Sequence, residues 1–113
     1  MEKISYNFKN RTAIVTGGAQ GFGLDIAKRF LKSEAKVIIW DLDPKAIEKA
    51  TKEMNNSNLS SKIVDVSNFK DVENATKEII KNSNIDILIN NAGITGPTAT
   101  LWEYDIEMWK KIV

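Results

Sequence analysis

The sequence contains no cysteine and no histidine. The first absence removes any disulfide framework, which fits a reducing compartment. The two together remove whole mechanisms. Neither a Ser-His-Asp nor a Cys-His nucleophile can be assembled, and neither can a zinc site on His or Cys ligands. A metal would have to sit on carboxylates and carbonyls, and no spaced carboxylate loop of the calcium-binding kind occurs. No run of about 18 apolar residues is present, so no membrane span is expected. Residues 1–10 are polar and lack an apolar signal core, so export is not expected and the cytoplasm is the expected location. Charge of one sign is also missing, with 16 basic residues against 15 acidic and a net charge of +1. That balance gives no electrostatic reason to expect nucleic acid or an anionic membrane as partner.

What is present is ordinary in amount and orderly in arrangement. The 113 residues suit one domain, 42% hydrophobic and 27% charged. Short β-type runs alternate with helical periods. Residues 12–16 (TAIVT) form a compact apolar run ending at glycines. Phe22, Ile26, Ala27, Phe30 and Leu31 then recur at helical spacing. Residues 36–40 (KVIIW) give a second strand, and Asp43-Pro44 reads as an N-cap with proline in the first helical turn. Ile47, Ala50 and Met54 make the stripe of that helix, which NNSN at 55–58 ends. A third strand is expected over 60–66. Ser67 is expected to cap a helix carrying Phe69, Val72, Ala75, Ile79 and Ile80 inward. Residues 86–90 (DILIN) give a fourth strand, and a loop with Gly93, Gly96 and Pro97 follows. Asp105 is placed to cap a last helix with Ile106, Trp109 and Ile112. Such alternation predicts βαβ units and an α/β fold with a parallel sheet covered on both faces.

The stretch TGGAQGFG, residues 16–23, lies between the first strand and the first helix. Free backbone N–H groups and the helix dipole make such a turn a pyrophosphate site. Gly17 permits a sharp exit from the strand, Gly21 lets the backbone approach phosphates, and Gly23 lets helix and strand pack closely. The spacing is G-x-x-x-G-x-G rather than G-x-G-x-x-G, and no P-loop lysine follows. A plain βα turn is the competing reading. Asp41 ends the second strand, 18 residues after Gly23. An acidic side chain there accepts hydrogen bonds from the ribose hydroxyls and repels a 2′-phosphate. Gln20, Leu42 and Asp43 supply no nearby cation, and Lys45 is the nearest one. The expected cofactor is therefore NAD in preference to NADP. Asp65 and Val66, at the end of the third strand, are candidates for the adenine amino group and ring, with a helix start as the alternative. Asn90-Asn91-Ala92-Gly93 ends the fourth strand. Its small residues bring backbone close to a ligand over the sheet's carboxyl end, and its asparagines can tie strand ends together.

Taken together these segments resemble the short-chain dehydrogenase/reductase family. Thr16–Gly23 is similar to its T-G-x-x-x-G-x-G turn, Asp65-Val66 to its adenine-side pair, and Asn90–Gly93 to its N-N-A-G segment. N-N-A-G points to the standard branch of the family. The resemblance implies a Rossmann-type doubly wound sheet and hydride transfer between NAD(P) and a small alcohol or ketone. It also implies a homo-oligomer for the full-length protein. The implied cofactor contacts are Gly17, Gln20, Gly21, Phe22, Gly23, Asp41, Asp65, Val66, Asn91, Ala92 and Gly93.

The family's catalytic set of asparagine, serine and Tyr-x-x-x-Lys finds no match. Tyr6 is followed four residues on by Asn10, Tyr104 by Met108, and no serine lies after Ser83. The helix asparagine falls about three residues past Val113 by the family's W-x-x-(V/I)-x-x-V-N pattern. The expectation is an N-terminal half, four strands in the order 3-2-1-4, with the cofactor site but no catalytic residue. A chain of this kind is expected to be marginal, inactive alone and prone to association. A non-catalytic dinucleotide-binding module is the alternative.

Overall fold

The computed structural model describes residues 8–91. Four strands are present: β1 (Thr12–Thr16), β2 (Lys36–Asp41), β3 (Leu59–Ile63) and β4 (Ile87–Asn90). Three helices alternate with them: α1 (Gly21–Lys32), α2 (Pro44–Met54) and α3 (Phe69–Ile80). The sheet is wholly parallel, in the order β3-β2-β1-β4. Both the alternation and the strand order agree with the sequence reading.

The two faces of the sheet bury different side chains because successive strand residues point opposite ways. Val15, Val37 and Ile39 pack with Ala27 and Leu31 of α1 and Ala50 of α2. Ile14 and Trp40 pack on the other face with Val64 and with Val72 and Ala75 of α3. All five residues of β1 are buried, as befits a central strand between β2 and β4. Exposed ion pairs such as Lys28–Glu53, between α1 and α2, stabilise by about 0–1 kcal/mol at most, so packing holds the layers together.

Local signals set most helix ends. Asp43 caps α2 by accepting from the N–H groups of Lys45 and Ala46, with Pro44 in the first turn. Asn55, in a left-handed conformation at φ 39°, stops it. Four expectations are corrected. The third strand is Leu59–Ile63, not 60–66, because β2 ends at Asp41, the register partner of Ile63. It is also an edge strand with exposed Ser60 and Ser61, not an apolar one. Asn68, not Ser67, caps α3 by accepting from the Asp71 N–H, because Ser67 is bonded to Asp65. Finally, Ile80 is exposed and Phe22 is 77% exposed, so neither belongs to an inward stripe. No helix among the described residues is long and apolar enough to cross a membrane. The helix expected after Asp105 and the loop of Gly96-Pro97 lie outside the described residues.

Candidate nucleotide site

The carboxyl ends of β1, β2, β3 and β4 bring the sequence's candidate residues to one edge of the sheet. At the end of β1 the chain turns through Gly17, at φ 62°, whose N–H donates to the Trp40 carbonyl at 2.7 Å. A side chain on Gly18 would stand 2.9 Å from the Val15 carbonyl oxygen and 3.0 Å from Ile39, so this turn is packed onto the sheet. Gly21 has φ 60° and faces open space, which leaves its backbone accessible. Gly23 is the opposite case. A Cβ there would fall 2.1 Å from the Gly17 carbonyl oxygen and 2.8 Å from Asn91 Nδ2. The helix can start against the turn only because this residue has no side chain.

The start of α1 differs chemically from the starts of α2 and α3. Its N-cap, Gln20, is extended and makes no side-chain capping bond, and no acidic residue lies in the first turn. Asp43 and Asn68 cap the other two. The first N–H groups of a helix have no intrahelical acceptor. At α1 no side chain caps them, and Gly21 and Phe22 beside them are exposed.

Asp41 ends β2 and is buried, at 8% exposure. Its Oδ2 accepts from the Ala19 N–H at 3.1 Å and its Oδ1 from the Asp43 N–H at 3.1 Å. A carboxylate offers about four lone-pair sites, so about two remain for further donors. Asp65 is half-buried beyond β3. Its Oδ1 accepts both the N–H and the hydroxyl of Ser67, and these two bonds, the hydroxyl's first, hold its carboxyl below the usual carboxylate range. Its own N–H donates to Asp71 Oδ2 at 2.7 Å. Val66, also half-buried, packs against the α3-side core.

At the end of β4 the asparagines tie strands together. Thr16 Oγ1 donates to Asn90 Oδ1 at 3.1 Å and accepts from the Asn91 N–H at 2.9 Å. Asn91 Nδ2 donates to the Gly17 carbonyl at 3.3 Å. Ala92 and Gly93 lie outside the described residues. The structure therefore gathers Gly17, Gln20, Gly21, Phe22, Gly23, Asp41, Asp65, Val66 and Asn91 at strand ends and the α1 start. It adds residues that were not among the expected cofactor contacts. Thr16 and Gly18 build the turn, and Ala19 joins it to Asp41. Leu42, 60% exposed, and Ile63, 54% exposed, add apolar surface at the same edge. The signal for Thr16 was its place in the turn motif. Ala19 carried none, since its role is a main-chain bond.

Residues 11–113 match the family model for short chain dehydrogenases. The chain belongs to the short-chain dehydrogenase family. It is 32% identical to a 2-dehydro-3-deoxy-L-rhamnonate dehydrogenase (NAD(+)) of a Sphingomonas species, over 100% of this chain and 45% of that protein. It is 37% identical to the 3-oxoacyl-[acyl-carrier-protein] reductase FabG of Chlamydia trachomatis, over 92% of this chain and 43% of the relative. Among solved structures, a short-chain dehydrogenase/reductase of Brucella melitensis superposes with TM-score 0.75 at 26% identity, covering 93% of this chain and 48% of its own. An NADP active-site complex of Pseudomonas aeruginosa RhlG superposes with TM-score 0.71 at 28% identity, covering 91% and 42%. This short-chain dehydrogenase chain thus spans less than half the length of the relatives it matches. Its fold is the Rossmann-type sheet of those structures.

Proposed function

We propose that this chain is the NAD-binding part of an oxidoreductase that moves hydride between the nicotinamide and a small alcohol or ketone. Main-chain N–H groups of Gln20, Gly21, Phe22 and Gly23 at the helix start hold the pyrophosphate, while Gly17, whose N–H is bonded to Trp40, and Ala19, whose N–H is bonded to Asp41, shape the turn beneath it. Asp41 accepts from the adenosine ribose hydroxyls through the lone pairs that Ala19 and Asp43 leave free. Asp65 accepts from the adenine amino group through its second oxygen, and Val66 lies against the ring. Asn91, Ala92 and Gly93 bring backbone under the ribose next to the nicotinamide. No residue of this chain is assigned to the chemical step. The protein acts as a homo-oligomer, and the lack of cysteine fits a cytoplasmic setting.

The observation that carries this reading is the joining of two features by one hydrogen bond. An uncapped helix start beside an open glycine is tied, through Ala19, to a buried carboxylate at the next strand end. The family accommodates both cofactors: one relative carries NAD(+) in its name and one similar structure is an NADP complex. Asp41 favours NAD because a 2′-phosphate would meet a buried negative charge. Substitution Asp41→Ser tests this in the protein that carries this chain. The ratio of NADP to NAD dissociation constants is expected to fall about tenfold or more, as loss of a charge repulsion near 1.4 kcal/mol or above requires. An unchanged ratio would remove Asp41 from cofactor choice.

A further inference from the structure

We propose that Asp41 is also a positioning residue that braces the glycine turn in the free protein, so that the pyrophosphate cradle is set before any ribose arrives. Three features of the turn support it. Asp41 is buried, and both of its oxygens are already engaged without a ligand. One partner, Ala19, is buried at the centre of the turn, between Gly18, packed on the sheet, and Gln20, the first flank of α1. The other, Asp43, is the cap of α2. One carboxylate therefore fixes the entrances to two helices, 22 residues apart for the Ala19 bond and 2 for the Asp43 bond. A hydrogen bond from an N–H to an ionised acceptor is among the stronger ones, and a buried N–H left unpaired is costly. Gly17 and Gly21, both at positive φ, give the turn backbone freedom that a brace must remove.

The consequence concerns cofactor specificity. Replacing Asp41 does more than delete a ribose contact or a repulsion, because it also loosens the turn that holds the phosphates. Every nucleotide sharing the pyrophosphate is weakened, including one with no ribose hydroxyl to lose. A switch toward NADP made at this position alone starts from a damaged cradle.

Two measurements on the protein that carries this chain decide the matter. The first is amide hydrogen exchange at Ala19 and Asp43 without nucleotide, in wild type, Asp41→Ala and Asp41→Asn. Loss of the acceptor is expected to speed exchange at Ala19 about tenfold or more in Asp41→Ala. Asparagine offers one carbonyl oxygen and one NH₂, so at least one of the two amides must speed up in Asp41→Asn, which keeps the shape and guards against a misfolded alanine variant. Unchanged exchange at both amides in a folded variant would overturn the brace. This arm does not depend on what the site binds. The second arm rests on the nucleotide reading above: calorimetric affinity for NAD and for its 2′,3′-dideoxyadenosine analogue, below the melting temperature of each variant. A residue that only contacts ribose, or only supports overall stability, leaves the analogue's affinity untouched. The brace predicts that Asp41→Asn weakens the analogue at least threefold, and an unchanged affinity would contradict it. Failure of wild type to bind NAD at all, with Ala19 exchange still dependent on Asp41, would sink the nucleotide reading and leave the brace standing.

Discussion

At Gly23 the backbone of α1 comes so close to the turn that a single methyl group cannot be placed. Alanine is the better helix former by about 1 kcal/mol, so intrinsic propensity alone would make Gly23→Ala stabilising. The 2.1 Å approach to the Gly17 carbonyl, which is main chain and cannot rotate away, reverses the sign. The expected outcome is destabilisation of roughly 1–3 kcal/mol, typical of overpacking, seen as a lower melting temperature by circular dichroism. An unchanged or raised melting temperature would show that the helix start can retreat from the strand. Asp65 offers a different residue-scale test. Its carboxyl is lowered chiefly by the Ser67 hydroxyl and then by the Ser67 N–H. The stability this contributes is present above the unfolded-state value, near 3.9, and is lost as pH falls through the lower folded value. Ser67→Ala should raise the Asp65 value part of the way back, because the N–H remains. A carbon-detected NMR titration reads this directly, and an unmoved titration would detach Asp65 from Ser67.

At the scale of elements, α2 shows a helix whose ends are written locally. Asp43 accepts two N–H groups and Pro44 follows it. Asp43→Ala should cost about 1 kcal/mol, measured by denaturant unfolding, with Asp43→Asn costing less. The same local character made α2, β1 and most of β2 legible in the sequence, since cap, proline and apolar run sit within a few residues of one another. What was not legible depended on distant partners. β3 was begun one residue late and ended three residues late because Ser60 and Ser61 hide an edge strand whose extent is set by pairing with β2. Ser67 and Asn68 are both good caps, and the bonds from Ser67 to Asp65 decided between them. Phe22 carries helical spacing, yet it stands exposed in the first turn, ahead of the part of α1 that packs on the sheet. The tie from Asn91 to Gly17 spans 74 positions. The motif placed both residues at the site, but the bond itself came only from the fold.

For the whole molecule, the order β3-β2-β1-β4 leaves β4 paired on one side only among the described residues. Its Ile87, Leu88 and Ile89 are half-buried apolar residues on that unpaired strand, an invitation to edge association. The 113-residue chain by itself is therefore expected to associate in sedimentation experiments and to give no NAD-dependent oxidation of alcohols. A monodisperse monomer would contradict the first expectation, and measurable turnover would contradict the second. This chain covers less than half the length of the relatives it matches. The central claim is that the turn from Gly17 to Gly23 and the carboxylate of Asp41 form one NAD site. Calorimetric titration of the protein that carries this chain with NAD and with NADP tests it most directly. One saturable site per chain, at least tenfold tighter for NAD, is the predicted result; no binding of either nucleotide, or tighter binding of NADP, would contradict it.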